Sequence, residues 1–159
     1  MASTLTVDNI VGATAAAKVH IPGHVIQVVE GTATSDVATS TATFVTCGLS
    51  ASITPLSASS KILIIANISG HTVVSDARLI TTVYRNSTNL GGGSMSGVGY
   101  LHAPAGTHLG IVSMSILDSP SSTSSVTYTV YFGSGSNVGE VRVRSDVVPS
   151  KIQLMEIAQ

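Results

Sequence analysis

The chain has 159 residues, of which 9 % are charged and 43 % are hydrophobic, and its formal net charge is −1. A typical soluble domain is about 25 % charged, so the 24 serines and 18 threonines supply much of the polar surface here. The balance argues against nucleic-acid binding, since no Lys/Arg cluster is present to displace counterions from phosphates. With little charge to keep monomers apart, we expect a closed homo-oligomer, most simply a trimer; the alternative is a monomer with a Ser/Thr surface.

The first predicted element is an N-terminal arm, residues 1–23, whose only charges are Asp8 and Lys18 and which ends at Pro22-Gly23. The arm lacks the basic and apolar regions of a signal peptide, so we expect the protein to fold in a cytoplasm. Because a short alternating arm cannot bury its own apolar face, we expect it to pack on a partner subunit or scaffold. The alternative is an edge strand of the same domain.

The rest of the chain, residues 24–159, is predicted to be one all-β domain. β-branched or alternating runs recur between clusters of Gly, Pro, Ser, Asn and Asp. The helix-like stretch Ala13–Lys18 is too short to be stable alone. The predicted strands lie near Leu5–Ile10, Lys18–Ile21, Val25–Thr34, Thr43–Thr54, Lys61–Ser69, Arg78–Asn86, Ser96–Leu101, Leu109–Leu117, Ser125–Phe132, Glu140–Arg144 and Lys151–Ile157.

The spacing of these strands predicts an antiparallel β-sandwich of jelly-roll type. Residues 62–65 (Ile-Leu-Ile-Ile) are apolar on both faces, as expected of a central strand that is covered by the opposite sheet and by a neighbouring subunit. The longest apolar run, Ile62–Ala66, is far shorter than a membrane span, so no membrane partner is expected.

Several segments resemble short tail-fibre-like and head-decoration virion proteins of marine and freshwater (cyanophage-type) bacteriophages. The resemblance is carried by Ser3–Gly12, Val19–Gln27, Leu49–Ile64, Leu117–Pro120, Phe132–Ser136 and Ile152–Ile157. It implies a β-sandwich that trimerises on the virion surface. The short chain and an arm without a shaft favour a capsid decoration (cement) protein that docks on the phage major capsid protein; the alternative is a tail-fibre or receptor-binding tip attached to other tail or fibre proteins.

No catalytic constellation is predicted. The nucleophile elbow, a Ser with Gly two residues to either side, is absent, and with 24 serines and five histidines chance pairs carry no weight. Paired carboxylates for glycoside cleavage are also missing, because the eight acids are scattered and Asp76, Asp118 and Asp146 fall in predicted turns. We therefore expect a protein that is not an enzyme.

No metal or cofactor site is predicted either. His20 and His24 flank a Pro-Gly turn, and a His repeated three times at a trimer axis could bind a metal ion, but solvated histidines are the simpler interpretation. Residues 91–97 are Gly-rich and lack the Lys-Ser/Thr of a phosphate loop. Cys47, the single cysteine, is expected to be a small buried apolar residue.

Two sets of residues are predicted to make contacts outside the domain. The arm residues of a capsid or subunit interface are Leu5, Val7, Ile10, Val11, Val19 and Ile21. The residues of exposed binding loops are Asn89, Met95, Tyr100, His102 and His108. Tyr100 is the one aromatic residue near a predicted loop, and a sugar-stacking surface needs exposed aromatic rings, so the sequence offers little support for a saccharide site.

Overall fold

The computed structural model describes residues 21–92, 97–135 and 138–159. Within these ranges the chain forms eleven β-strands and no helix, which confirms the all-β prediction. The strands are β1 (Val25–Ala33), β2 (Asp36–Thr39), β3 (Val45–Ile53), β4 (Lys61–Thr72), β5 (Arg78–Arg85), β6 (Thr88–Asn89), β7 (Gly99–His102), β8 (His108–Asp118), β9 (Val126–Ser134), β10 (Val141–Arg144) and β11 (Ser150–Ile157).

Each strand predicted after residue 24 overlaps an observed strand, and two observed strands were missed. The prediction stopped β1 at Thr34, yet the chain pairs again two residues later as β2. It treated residues 86–93 as a loop, but β6 pairs with the end of β5 across a tight turn where Asn86 has a φ of 52°. The strands and the helical stretch predicted before residue 21 lie outside the described residues.

Sheet A is built around the long strand β4. Strand β8 pairs with β4 along its full length, from Ile62 opposite Asp118 to Thr72 opposite His108. On the other side of β4, β11 and β10 pair one after the other, and β1 and β2 continue the sheet beyond them. Sheet A therefore has the order β1/β2, β11/β10, β4, β8, and all pairs are antiparallel.

Sheet B has the order β3, β9, β5, followed by β6 and β7, which pair with successive parts of β5. All its pairs are antiparallel as well. The inward side chains of the two sheets form one buried core: Leu49 and Ile53 of β3, Ile62, Ile64 and Ile68 of β4, Leu79 and Val83 of β5, Tyr128 and Phe132 of β9, and Ile152 and Leu154 of β11. Two antiparallel sheets around one core form a β-sandwich.

The sandwich is closed along one side by a close approach of β1 to β3. A Cβ atom on Gly31 would lie 2.0 Å from the Ser50 carbonyl oxygen, so only glycine fits where the two strands meet. On the other side, Asp118 at the end of β8 accepts hydrogen bonds from Arg85 Nη1 at 2.9 Å and from the Tyr128 hydroxyl at 2.7 Å. This cluster joins sheet A to β5 and β9 of sheet B.

The two ends of the sandwich differ. At the arm end, the chain begins β1 beside the C-terminus, because Gly23 N donates to Ala158 O and Ala158 N donates to His24 O. At the opposite, distal end, the loops are tied together by Val73 N to Glu140 O, Asp76 N to Ala103 O and Gly106 N to Ser75 Oγ. The first residues described and the distal loops are therefore separated by the length of the strands.

Candidate assembly interface

The outer side of sheet A carries a transverse row of apolar side chains, one from each of four adjacent strands. Val28 lies opposite Met155, Met155 opposite Leu63, and Leu63 opposite Leu117. Val28 is 59 % exposed and Leu117 53 % exposed, whereas Leu63 and Met155 are half-buried by their neighbours. We call this set the apolar row; a contiguous exposed apolar patch typically marks an interaction site.

Further apolar side chains flank the apolar row on both its arm side and its distal side. Val25 lies opposite Ile157 in the adjoining register position, and Ile65 follows Leu63 on the same side of β4. Ile65 and Ile157 are half-buried, and Val25 is exposed. Residues 62–65 are thus apolar on both faces because Ile62 and Ile64 point into the core while Leu63 and Ile65 contribute to the outer surface.

Two of the charged side chains next to the apolar row, Glu30 and Lys151, are paired with each other, and a third, Lys61, lies opposite Ile157. Lys151 Nζ donates to Glu30 Oε1 at 2.8 Å and Gln153 Nε2 donates to Glu30 Oε2 at 3.2 Å. These hydrogen bonds, with the charge of Lys151, hold the pKa of Glu30 below its ordinary value. The charges of Glu30 and Lys151 therefore cancel locally, and Lys61 adds one positive charge on the arm side of the apolar row.

The distal part of the same face carries a second network of paired charges. Arg142 donates to Glu140 at 2.6 Å and to Asp36 at 2.8 Å, and Arg144 donates to Asp146 at 3.0 Å. The hydrogen bond to Arg144 lowers the pKa of Asp146, and those to Glu140 and Asp36 raise the pKa of Arg142. The outward side chains of β10 are thus partly exposed and paired with neighbouring carboxylates.

Strand β8 forms an unprotected edge beside the apolar row. Among the described strands it pairs with β4 alone, and it contains no proline, lysine or arginine. Its exposed outward side chains include Leu109, Ile111 and Leu117, and its carboxylate, Asp118, is already bonded to Arg85 and Tyr128. Natural proteins usually protect such an edge with charges, prolines or a covering element, so β8 has the composition of an edge that is covered.

The outer side of sheet A approaches the area of a stable protein contact. Four strands at about 4.8 Å spacing and about 30 Å long give a face of roughly 600 Å², and a standard interface buries about 800 Å² per partner. A stable contact therefore requires surface beyond this face, and the adjacent edge of β8 is available for it.

The structure describes one of the six arm residues predicted to form an interface. Ile21 is 41 % exposed and precedes β1 at the arm end. The other five, Leu5, Val7, Ile10, Val11 and Val19, lie outside the described residues. The chain therefore enters β1 next to Val25 and Ile157, at the arm end of sheet A.

The predicted loop residues are divided between the two ends of the molecule. Asn89 lies toward the arm end in β6, and its Oδ1 accepts hydrogen bonds from Thr82 Oγ1 and Gly91 N. Tyr100 and His102 belong to β7, and His102 Nε2 lies 3.7 Å from Asp76 Oδ1. His108 is exposed at the distal start of β8, and Met95 lies outside the described residues.

The apolar row was not visible in the sequence, because its four members come from strands far apart in the chain and share a row only through the sheet register. The available signal was the alternation of β8, where Leu109, Ile111 and Leu117 lie on one face and Val112 and Met114 on the other. This alternation shows apolar residues on both faces of β8, but it does not show which face packs into the core.

Within residues 21–92, 97–135 and 138–159, no group of three His, Cys, Asp or Glu side chains is placed to hold a metal ion, and no helix is long and apolar enough to cross a membrane. Cys47 is fully buried, as predicted, and its burial raises the pKa of the thiol to about 11. Comparison of the chain with protein-family models found no match, and neither did comparison with curated proteins.

Proposed function

We propose that this chain is a non-enzymatic structural protein of a bacteriophage virion, a homotrimeric capsid decoration protein that docks on the head and stabilises it. The observation that carries the proposal is the apolar outer face of sheet A with the unprotected β8 edge beside it. A chain with 9 % charged residues and such a face is suited to burial against copies of itself. The segments that resemble phage virion proteins support the virion surface as the location of this protein.

Within this proposal, we assign the β-sandwich to the jelly-roll type. If β1 with β2, β6 with β7, and β10 with β11 are each counted as one interrupted strand, sheet A has the order 1-8-3-6 and sheet B the order 2-7-4-5. These orders are those of two intertwined Greek keys, the topology of jelly rolls. The interruptions support this count, because β1 and β2 pair with β11 and β10 in one continuing ladder.

The proposed trimer buries the apolar row and the β8 edge, with a second copy as the occupant of each. The face favours a copy of this chain because most of its charged side chains are paired with one another and the apolar row itself carries no charge. In a ring of three, each contact joins two different surfaces, here the face of one copy and the β8 edge of the next. The arm, residues 1–23, then remains for docking on the major capsid protein.

Replacement of Val28 and Leu117 by lysine tests the interface. Both side chains are more than half exposed, so the double variant should fold, while six lysines brought together in a trimer would repel one another across a low-dielectric contact. We expect light scattering to give three times 16.1 kDa for the native protein and 16.1 kDa for the variant.

The matched control is Leu56→Lys. Leu56 is 52 % exposed and lies in the β3–β4 loop, away from the apolar row, so this variant should remain a trimer. A native protein that is a monodisperse monomer at micromolar concentration would refute the assembly proposal. If the Val28→Lys/Leu117→Lys variant were still a trimer, the subunit interface would have to lie on a surface other than the apolar row.

The alternative function is that of a tail-fibre or receptor-binding tip. It is favoured by the distal end of the sandwich, where the loops carrying Ser75, Ala103 and Gly106 are hydrogen-bonded into one group opposite the arm. Gold labelling of the protein on particles, imaged by electron microscopy, separates the two functions. Many copies over the head support a decoration protein, and a few copies at the tail support a tip.

A further inference from the structure

The outer side of sheet B gathers three of the four tyrosines of the chain. Tyr84 lies on β5, Tyr131 on β9 and Tyr100 on β7. Each alternates with side chains that point into the core, such as Val83, Val130 and Leu101, so all three point outward. The fourth, Tyr128, is buried inside the sandwich.

Two of the three tyrosines are in contact, and the third lies further along the same side of the sheet. The ring centroids of Tyr84 and Tyr131 are 4.2 Å apart, with 37° between the ring planes. Tyr131 lies opposite Thr82, and Tyr100 lies opposite Ile80, two residues further along β5. Tyr100 is 55 % exposed and lines an open cleft of about 250 Å³ together with Ile80, Gly97, Val98 and Gly99.

Hydroxyl groups surround this tyrosine set on the adjacent strands. Ser50 and Ser52 of β3 lie opposite Thr129 and Thr127 of β9, and the Ser52 and Thr127 hydroxyls are 2.7 Å apart. Of the described residues on this side of sheet B, Arg78 at one end is the one with a formal charge. We call this surface the tyrosine face.

We propose that the tyrosine face binds a neutral saccharide. A sugar ring has an apolar C–H surface that stacks on aromatic rings and a rim of hydroxyls that exchange hydrogen bonds with Ser and Thr, each of which can both donate and accept. The tyrosine face offers rings and hydroxyls side by side, and the cleft beside Tyr100 gives a sugar unit lateral contact. With almost no charge on the surface, an anionic glycan gains nothing from it.

This inference does not rest on the proposed assembly. The tyrosine face belongs to the opposite sheet from the apolar row, so it stays accessible when sheet A is covered. In a trimer, three copies would bind a polymeric glycan together, and avidity would raise the apparent affinity without new contacts.

Saturation-transfer NMR with maltohexaose, cellohexaose and mannohexaose, irradiating the aromatic protons, tests the proposal. We expect transfer to at least one of these neutral hexasaccharides and none to a sulfated heparin hexasaccharide. Tyr131→Ala and Tyr100→Ala should each weaken binding about tenfold, which corresponds to about 1.4 kcal/mol. Tyr131→Phe should restore binding to within about threefold, because the ring that stacks is kept.

Leu117→Ser, on the outer side of sheet A, is the matched control and should bind as the native protein does. Thermal unfolding of every variant confirms that the fold is kept. Absence of transfer to all three neutral hexasaccharides overturns the proposal, as does binding that Tyr131→Ala and Tyr100→Ala leave unchanged. A trimer that binds no hexasaccharide would retain the proposed assembly, and a monomer that binds would retain the saccharide site.

Discussion

Asp118 shows how single residues hold this low-charge sandwich together. Its carboxylate accepts from Arg85 and from the Tyr128 hydroxyl, and Arg85 Nη1 also donates to Ser119 O at 3.3 Å. Buried charges are costly unless they are paired and hydrogen-bonded, and here each polar group of the cluster has a partner. In a chain with so few charges, a pair in this position fixes how β8 meets the other sheet.

The phenol of Tyr128 should make stability depend on high pH. Its burial, then its hydrogen bond to the carboxylate of Asp118 and the charge of that carboxylate, raise its pKa above the ordinary 10.0. A pKa raised in the folded state gives stability that is complete below the unfolded value and is lost as the pH rises past it. We therefore expect the free energy of unfolding in urea to fall above about pH 10.

Tyr128→Phe should remove that part of the pH dependence. The variant should be less stable than the native protein at neutral pH, because Asp118 loses a donor, and the difference should shrink as the pH rises above 10. Urea unfolding of both proteins over this range gives the difference directly, and other alkaline titrations cancel in it. A constant difference across the range would contradict the role given to Tyr128.

At the level of elements, the sequence predicted where most strands lie in the chain but not which strands pair with each other. The alternation of residues 126–132 placed Val126, Tyr128, Val130 and Phe132 on one face, and all four are buried. In contrast, Tyr84 and Tyr131 were assigned to strands 47 residues apart in the chain, with nothing to show that they stack. Neighbours across strands are set by sheet order and register, which local patterns do not contain.

Strand β2 was missed for a related reason. Its four residues, Asp-Val-Ala-Thr, combine two strand formers, Val and Thr, with Asp and Ala, which are depleted in strands. They pair because β10 is held beside β4 and offers a free edge in the right register, with Arg142 and Arg144 bonded to Asp36. Tertiary contacts thus decide the conformation of a segment that local sequence leaves open.

The close approach of β1 to β3 leads to a prediction for Gly31→Ala. The added Cβ would collide with the backbone oxygen of Ser50, and backbone cannot move aside as a side chain can. We expect a loss of about 1–3 kcal/mol in the free energy of unfolding, as for other overpacked sites, measured by urea denaturation. Gly110→Ala is the control, because its nearest atom, Leu101 Cδ1, would be at 3.4 Å; equal losses at both sites would contradict this account.

At the scale of the whole molecule, the two outer faces differ in the side chains they present, and the two ends differ in the segments they carry. Sheet A presents aliphatic side chains and locally cancelled charges, sheet B presents tyrosines and hydroxyls, and the arm leaves from the end opposite the distal loops. Composition alone indicated that some surface must be covered. The sequence could not show which surface, since each face combines residues from strands distributed over most of the chain.

Deletion of residues 1–23 tests the part assigned to the arm. The core formed by the described residues is built from strands that begin after residue 24, so we expect the shortened protein to fold and to assemble as the native protein does. Its binding to capsids of the matching phage lacking the protein, measured by co-sedimentation, should be lost. Undiminished binding would refute docking by the arm, and a deletion protein that also failed to assemble would place the arm in the subunit interface.

The backbone hydrogen bonds between Gly23, His24 and Ala158 have a practical consequence for engineering. Because both ends of the sandwich chain meet there, a brief linker could join them and new termini could be opened in a distal loop, giving a circular permutant with the same strand pairing. A fluorescent tag fused after Gln159 would lie beside the start of β1, where the arm is attached. The same tag at the new termini of the permutant would project from the distal end.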